Sequence, residues 1–313
     1  MKLGLDINSG DFAPETNVLG AILALEELPE DVELVLIGKE SDIQPILSKK
    51  NCTSKQISIV NAVDTIGMEE HPTRALRQKP NSSISKGFEL LAKKQIDSFS
   101  STGNTGAMLV GAMYVAHAIP GVIRPCITSV LPILNGGDSI LLDVGTNADC
   151  KPDVLYQFAI LGSLFATHVK GIDNPKVGLL NIGEEEGKGN LLTQSTYKLM
   201  KGTDDFNFIG NVESRDLFNG KADVVVCDGF TGNIILKEAE ALYSITKKLG
   251  FNDPYFERFN YENYGGTPIL GVNSDVIIGH GISNDIAIKN MMKLAYHVAE
   301  SKLTKKIKEA FKQ

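Results

Sequence analysis

Three segments of this sequence combine residue types able to handle an anion or a polarised carbonyl. The first is Asn181-Ile182-Gly183-Glu184-Glu185-Glu186-Gly187-Lys188-Gly189-Asn190. Lys188, flanked by glycines, is free to reach a phosphate as a point charge. A solvated charge run is the ordinary reading of such a cluster. Against it, the cluster starts where the apolar run Lys176–Ile182 ends and stops where a helical pattern starts. The second segment is Ser100-Ser101-Thr102-Gly103-Asn104-Thr105-Gly106. Gly103 and Gly106 let the backbone approach a ligand, and the first turn of the next helix offers free N–H groups and a dipole to an anion. Thr102 and Thr105 add hydroxyl donors. The same residues also read as a Ser/Thr helix cap with a glycine turn. The third, Asp228-Gly229-Phe230-Thr231-Gly232-Asn233, follows the apolar run Val224–Cys227. It puts one carboxylate, two glycines and an amide at a helix start. Asn233 reads either as a donor to an oxygen that becomes negative during reaction or as an ordinary helix-start Asn.

Thr102-Gly103-Asn104 and Thr231-Gly232-Asn233 echo one another, each after an expected strand. Open α/β sheets bind ligands at such turns, so the echo suggests one shared cleft; coincidence in a chain with 30 glycines is the alternative.

The elements that must position these segments are short apolar runs alternating with amphipathic stretches, the pattern of an α/β fold. Strands are expected near Leu3–Ile7, Val32–Ile37, Ile57–Asn61, Asp97–Ser101, Ile127–Leu134, Ser139–Val144, Lys176–Ile182, Phe206–Ile209, Val224–Cys227 and Asp275–Ile278. Helices are expected from Pro14-Glu15, with an apolar stripe of Val18, Ile22 and Leu25, and over Ser85–Lys94, Thr105–His117, Pro152–His168, Asn190–Met200 and Thr231–Leu249. A last long helix is expected from about Asn284 to Phe311, capped by Ser283 or Asn284. Its Lys-rich end suits a helix C-terminus and reads as a solvated last turn more simply than as a membrane-surface segment.

Composition narrows the function. Thirty-one Lys+Arg against 38 Asp+Glu leave a net charge of −7 on 313 residues, which argues against general nucleic-acid binding. Hydrophobic residues at 42% and charged residues at 22% describe a soluble globular chain with one large α/β domain or two smaller ones. Met1-Lys2-Leu3-Gly4-Leu5 runs into Asp6, with Asp11 following, so no signal peptide is expected, and no apolar stretch is long enough to span a bilayer. Cys52, Cys126, Cys150 and Cys227 lack C-x-x-C spacing and read as reduced, mostly buried thiols of a cytosolic enzyme. His71, His117, His168, His280 and His297 lack metal-ligand spacing; His280, between two glycines, is the one to watch. No G-x-G-x-x-G follows a strand, and no P-loop, G-x-S-x-G or H-E-x-x-H occurs, so no nucleotide or metal cofactor is expected.

Over nearly its whole length the sequence resembles the bacterial phosphate acyltransferases of the PlsX family, which make acyl-phosphate from acyl-ACP and inorganic phosphate. The resemblance is carried by Met68-Glu69-Glu70-His71-Pro72, Arg74-Ala75-Leu76-Arg77, Gly103-Asn104-Thr105-Gly106-Ala107 and Leu142-Asp143-Val144-Gly145 with Asn147. It continues through Asp149-Cys150-Lys151-Pro152, Gly178 to Glu186, Lys188-Gly189-Asn190, Phe208 to Glu213, Asn219 to Asn233, and Tyr264-Gly265-Gly266 with Pro268. Three departures stand out. The family's opening D-x-M-G-G-D is here Asp6-Ile7-Asn8-Ser9-Gly10-Asp11. Gly187 stands where the family often has Thr. The stretch from Leu249 to Tyr264 is shorter than the family's helical excursion, the part associated with membrane surfaces.

The resemblance implies a single phosphate acyltransferase domain over 1–313, with a shortened helical excursion near 238–264. It implies a three-layer αβα fold with a mostly parallel central sheet, akin to isocitrate and isopropylmalate dehydrogenases and to phosphate acetyltransferase. A homodimer follows from the same resemblance, as does a downstream membrane acyltransferase that takes the product. On membranes the residues pull away from the family: Asp253, Glu257 and Arg258 interrupt the aromatics Phe251, Tyr255, Phe256 and Phe259, so a mainly cytoplasmic enzyme, at most weakly peripheral to a membrane, is expected. By position Lys188 and Asn233 become the catalytic pair. Thr102, Gly103, Asn104, Thr105, Gly106, Asp143, Asn147, Glu184, Glu185, Asp228, Gly229, Thr231 and Gly232 become substrate-binding residues. The expected reaction is direct displacement by phosphate on the thioester. Two alternatives stay open: a phosphate acetyltransferase-like enzyme using a short acyl-CoA, and a non-catalytic acyl-carrier or lipid-sensing module, suggested by the altered Asn8-Ser9 segment.

Overall fold

The computed structural model describes residues 1–312, which fall into two compact units: Met1–Ala118 with Tyr261–Thr304, and 119–260 with the segment from Lys305 onward. In chain order the strands are β1 (Lys2–Asp6), β2 (Glu33–Gly38), β3 (Ile57–Asn61), β4 (Ser98–Ser101), β5 (Cys126–Pro132), β6 (Asp138–Leu142), β7 (Lys176–Leu180), β8 (Asn207–Val212), β9 (Val224–Val226), β10 (Thr267–Leu270) and β11 (Asp275–Ile278). All ten expected strands form. The additional one, β10, carries Pro268, which lacks a ladder donor and demotes a short run when read from sequence.

The first unit orders its strands β3-β2-β1-β4-β11-β10, parallel except for β10, which runs antiparallel to β11. Leu3, Leu5 and Asp6 are all inaccessible, so both faces of β1 are covered, as a parallel sheet requires. The Ser83–Ala92 helix packs on β1, β2 and β4, and the Asp285–Glu300 helix on β1, β4 and β11. The first helix, Glu15–Leu25, meets the Asp285–Glu300 helix through small residues: Gly20, Ala21 and Ala24 are buried with Asn17 and Val18. Ile22 and Leu25 of the expected stripe are only half-buried, because a Cβ on Gly20 would already collide with Ile288 at 2.4 Å. Helices this close expose no groove for larger side chains.

The second unit orders β5-β6-β9-β7-β8; β5 is antiparallel to β6 and the rest are parallel. Ile140–Leu142 and Val224–Val226 are inaccessible on both faces. The Pro152–His168 helix, found at its expected bounds, packs on β6 and β9. The expected single last helix is broken. Asp285–Glu300, capped by the Asn284 side chain on Ala287 N–H, stops at Ser301, and Lys302 takes a left-handed φ of 54° before Leu303–Ala310 resumes. The kink lets Leu303 and Ile307 both bury while the lysines stay outside.

The shortened excursion is the Gly229–Lys248 helix followed by one turn, Pro254–Glu257. Tyr255, Phe256 and Phe259 cluster with one another and with Phe218, ring centroids 5.3–6.5 Å apart. Tyr255 donates to Pro132 O at 3.2 Å, and Arg258 donates to Ile133 O at 2.8 Å and pairs with Asp138 at 3.0 Å. These contacts pin the turn to the β5–β6 hairpin and leave Phe251 exposed.

Candidate active site

Parallel strands end together, so in each unit the segments singled out by sequence gather at one edge of the sheet. In the first unit, Asp6 at the end of β1 is fully buried and accepts from Ser101 Oγ (2.7 Å) and Asn8 N–H (3.0 Å). Burial pushes its carboxyl upward, with these donors opposing. Ser101 Oγ in turn accepts from Gly103 N–H at 2.9 Å, which sets the Thr102-Gly103-Asn104 turn. Thr102 donates to Ser9 O. Asn104 caps the Thr105–Gly111 helix through Ala107 N–H and donates to the carbonyls of Gly67, Met68 and Glu70, each at 3.0 Å. Its amide therefore clamps the Gly67–Glu70 loop. Space at Gly103 and Gly106 is filled by Ser9 and Pro72, so packing explains both glycines, and Thr105 is the exposed hydroxyl of this turn.

In the second unit, Asp143 follows β6 and is fully buried, accepting from Ile127 N–H (3.0 Å) and from both the backbone N–H and the amide of Asn147 (2.6 and 2.9 Å). Asn147 also donates to Pro125 O. Asp228 caps the Gly229–Lys248 helix, accepting from Thr231 N–H and Oγ1 at 2.8 and 2.9 Å. Gly229 and Gly232 let that helix start pack on the turn after β6: a Cβ on Gly232 would sit 2.0 Å from Asp143 O. The predicted residues Asp143, Asn147, Asp228, Gly229, Thr231 and Gly232 thus form one braced junction.

Asn233 stands differently. About 200° round the helix from Thr231, it is exposed beside Gly145, whose Cβ would lie 3.4 Å from its Oδ1. Among the described residues its amide makes no hydrogen bond. The opposite side of the helix start faces a cavity of about 580 Å³, lined by Asn181, Asn190, Arg215, Asp228 and Thr231 over a floor that includes Leu155 and Cys227.

The lysine loop follows β7. Asn181 donates to Lys188 O at 3.1 Å, Gln194 to the carbonyls of Gly187 and Gly189, and Asn211 to Glu185 O. Gly189 is obligatory: φ is 90°, and a Cβ would fall 2.1 Å from Thr193 Oγ1 and 2.2 Å from Asn181 Oδ1. Asn190 caps the Leu191–Met200 helix. Glu186 pairs with Lys201 at 2.8 Å, and Glu184 with Lys221 at 2.8 Å, which also holds Asp216 at 3.0 Å. Lys188 is exposed and has no ion-pair partner among the described residues. Sequence reading missed Gln194, Asn211 and Arg215; the Asn-Val-Glu end of β8 was the only signal near the last two.

Thiols offer no rival nucleophile here. Burial pushes Cys150 up to about 12, with the charges of Asp143 and Asp228 adding to it, and raises Cys227 well above its ordinary value. All four cysteines are free.

The sequence model of a family described as fatty acid synthesis protein matches residues 1–253. A phosphate acyltransferase of Dictyoglomus thermophilum is 43% identical, across 99% of this chain and 97% of the relative. The chain belongs to this family of phosphate acyltransferases. It is an acyltransferase with phosphate as a substrate, and the PlsX resemblance holds. The alignment to the Dictyoglomus enzyme spans 328 positions against 313 residues here, so this phosphate acyltransferase lacks at least 15 positions that its relative has. Among solved structures, a phosphotransacetylase from Streptococcus pyogenes superposes with a TM-score of 0.65 at 18% identity, covering 96% of this chain and 94% of that one. A 4-hydroxythreonine-4-phosphate dehydrogenase from Salmonella typhimurium, described as putative, gives 0.58 at 12%, covering 95% and 99%. Both likenesses are of fold: α/β, with a mostly parallel sheet and helices on both sides, as the resemblance implied.

Proposed function

We propose that this phosphate acyltransferase moves a long-chain fatty acyl group from acyl-ACP to inorganic phosphate, releasing acyl-phosphate for phospholipid synthesis. One observation carries the reading. Among the polar side chains expected to be catalytic or to line the site, the braced amides and carboxylates are committed to the fold, while the Lys188 ammonium, the Asn233 amide, the Thr105 hydroxyl and the Glu185 carboxylate are not, and of these only Lys188 carries positive charge and only Asn233 an amide donor. Lys188 holds a phosphate oxygen near the thioester carbonyl. That oxygen forms the new C–O bond, Asn233 donates to the oxyanion, and collapse expels the carrier thiolate. Phosphate is already nucleophilic and a thiolate leaves readily, so the step balances without an enzyme nucleophile, metal or nucleotide. The test is phosphate-dependent release of free carrier thiol from long-chain acyl-ACP, with acetyl-CoA as the comparison donor. Acyl-ACP is expected to be the better donor. Preference for acetyl-CoA would make the enzyme phosphate acetyltransferase-like, and no phosphate-dependent thioester loss with either donor would leave a non-catalytic module.

In this reading both units serve one domain over 1–313, acting as a homodimer in the cytoplasm and passing its product to a membrane acyltransferase. The exposed Ile234, Leu242, Ile245 and Leu249 of the Gly229–Lys248 helix and its end support a subunit contact. No helix among the described residues is long and apolar enough to cross a membrane. With Tyr255, Phe256 and Phe259 packed on one another and on Phe218, Tyr255 bonded to Pro132 O, and Glu257 paired to Lys247, vesicle binding is expected to be weak and lost at physiological salt. Co-sedimentation with anionic vesicles checks this. Strong retention at physiological salt, abolished by Leu249→Ser with Phe251→Ser, would overturn it.

A further inference from the structure

The Gly183–Gly189 loop has three carboxylates and one lysine, a formal balance of −2 that would repel a phosphate anion. The fold alters that balance. Lys201, the residue that ends the Leu191–Met200 helix, holds Glu186 at 2.8 Å; Lys221, just before β9, holds Glu184 at 2.8 Å. Both ammonium groups are held further toward the charged form, each chiefly by its glutamate. Of the three acids only Glu185 lacks a lysine among the described residues, and its carboxylate and the Lys188 stem both lie about the same Gly183, each 3.0 Å from where a Cβ would be. The loop's own carbonyls are held by Asn181, Gln194 and Asn211, which fixes the backbone that carries the acids and the lysine.

We infer that Lys201 and Lys221 are positioning residues: by holding Glu186 and Glu184, they keep both carboxylates off Lys188 and leave its ammonium available to phosphate. The inference rests on the reading of Lys188 as the phosphate ligand. It reaches beyond that reading, because it assigns a binding role to two lysines that touch no substrate. Exposed pairs hold weakly in water, so the effect is modest in size and sensitive to salt.

Lys201 gives the cleaner test, since Lys221 also neutralises the nearly buried Asp216. Inorganic phosphate binding is measured by calorimetry, alongside steady-state kinetics, on wild type, Lys201→Met, Lys201→Arg and Lys201→Met with Glu186→Gln. Lys201→Met is expected to weaken phosphate binding and raise its KM about threefold to fivefold at low salt, the scale of one exposed charge, with kcat held within about twofold. Lys201→Arg and the double variant are expected to return to the wild-type value, and the difference should fade in 0.5 M salt on the order of the screening length. A merely structural lysine would not be rescued by deleting its partner. Unchanged phosphate affinity in Lys201→Met, or a defect that persists when Glu186 is also neutralised, overturns the inference. So does a wild type that binds no phosphate. A wild type that binds phosphate with this pattern but releases no thiol would instead overturn the proposed reaction and leave the charge arrangement standing.

Discussion

Lys188→Ala is expected to lower turnover by at least ~10²-fold, the scale of losing one group that stabilises charge in the transition state. The side chain is exposed, unpaired among the described residues and flanked by glycines, so its removal breaks no hydrogen bond and empties no core. The loop is held through carbonyls, by Asn181, Gln194 and Asn211, and Ala keeps those carbonyls. Circular dichroism and the melting temperature should therefore stay at wild-type values while phosphate-dependent thiol release collapses. Lys188→Arg should recover part of the loss, because it restores the charge and not the compact ammonium. Activity of Lys188→Ala within a few-fold of wild type would return the residue to a solvated charge run.

Most strands were legible because they are short apolar runs ended by Gly, Asn or Asp, as burial of both faces favours; β4, with three buried serines about Phe99, is a polar exception. The roles of the strand-end residues were less so. Asn104, Asn147 and Asn233 look alike in sequence, all in Gly-rich turns after strands. What separates them is which carbonyls the fold brings within reach: Asn104 meets three from the Gly67–Glu70 loop and Asn147 meets Pro125, contacts 22 to 37 residues away along the chain. No local pattern encodes that. Asn17 was missed for the same reason; buried inside a helix, it donates to the carbonyls of Asp6, Ile7 and Ser9. The altered Asn8 has a comparable explanation. Its amide donates to Ala62 O and Asp64 O and accepts from Lys39 N–H, tying together the ends of β1, β2 and β3. That bracing accounts for a polar residue in place of the family's Met. The break at Lys302 was invisible because a lysine at positive φ carries no sequence mark.

Asn233→Ala is expected to reduce kcat by about 10²-fold while phosphate affinity changes little, since an oxyanion donor acts in the transition state and not in the ground state. Asn233 lies on the helix face beside Gly145, whereas Lys188 follows β7, and the braced Asp228–Thr231 cap occupies the helix start. Because that cap and the Gly232–Asp143 contact fix the helix independently of residue 233, the variant should melt with wild type. Asn233→Asp is the sharper variant. It keeps the size and hydrogen-bond acceptor, removes the donor and puts a negative charge where the oxyanion would form, so it should be at least as damaging as Ala. Steady-state kinetics with varied phosphate decide the matter: a raised phosphate KM with unchanged kcat would make Asn233 a ground-state phosphate ligand, and a fully active Asp variant would remove it from the reaction altogether.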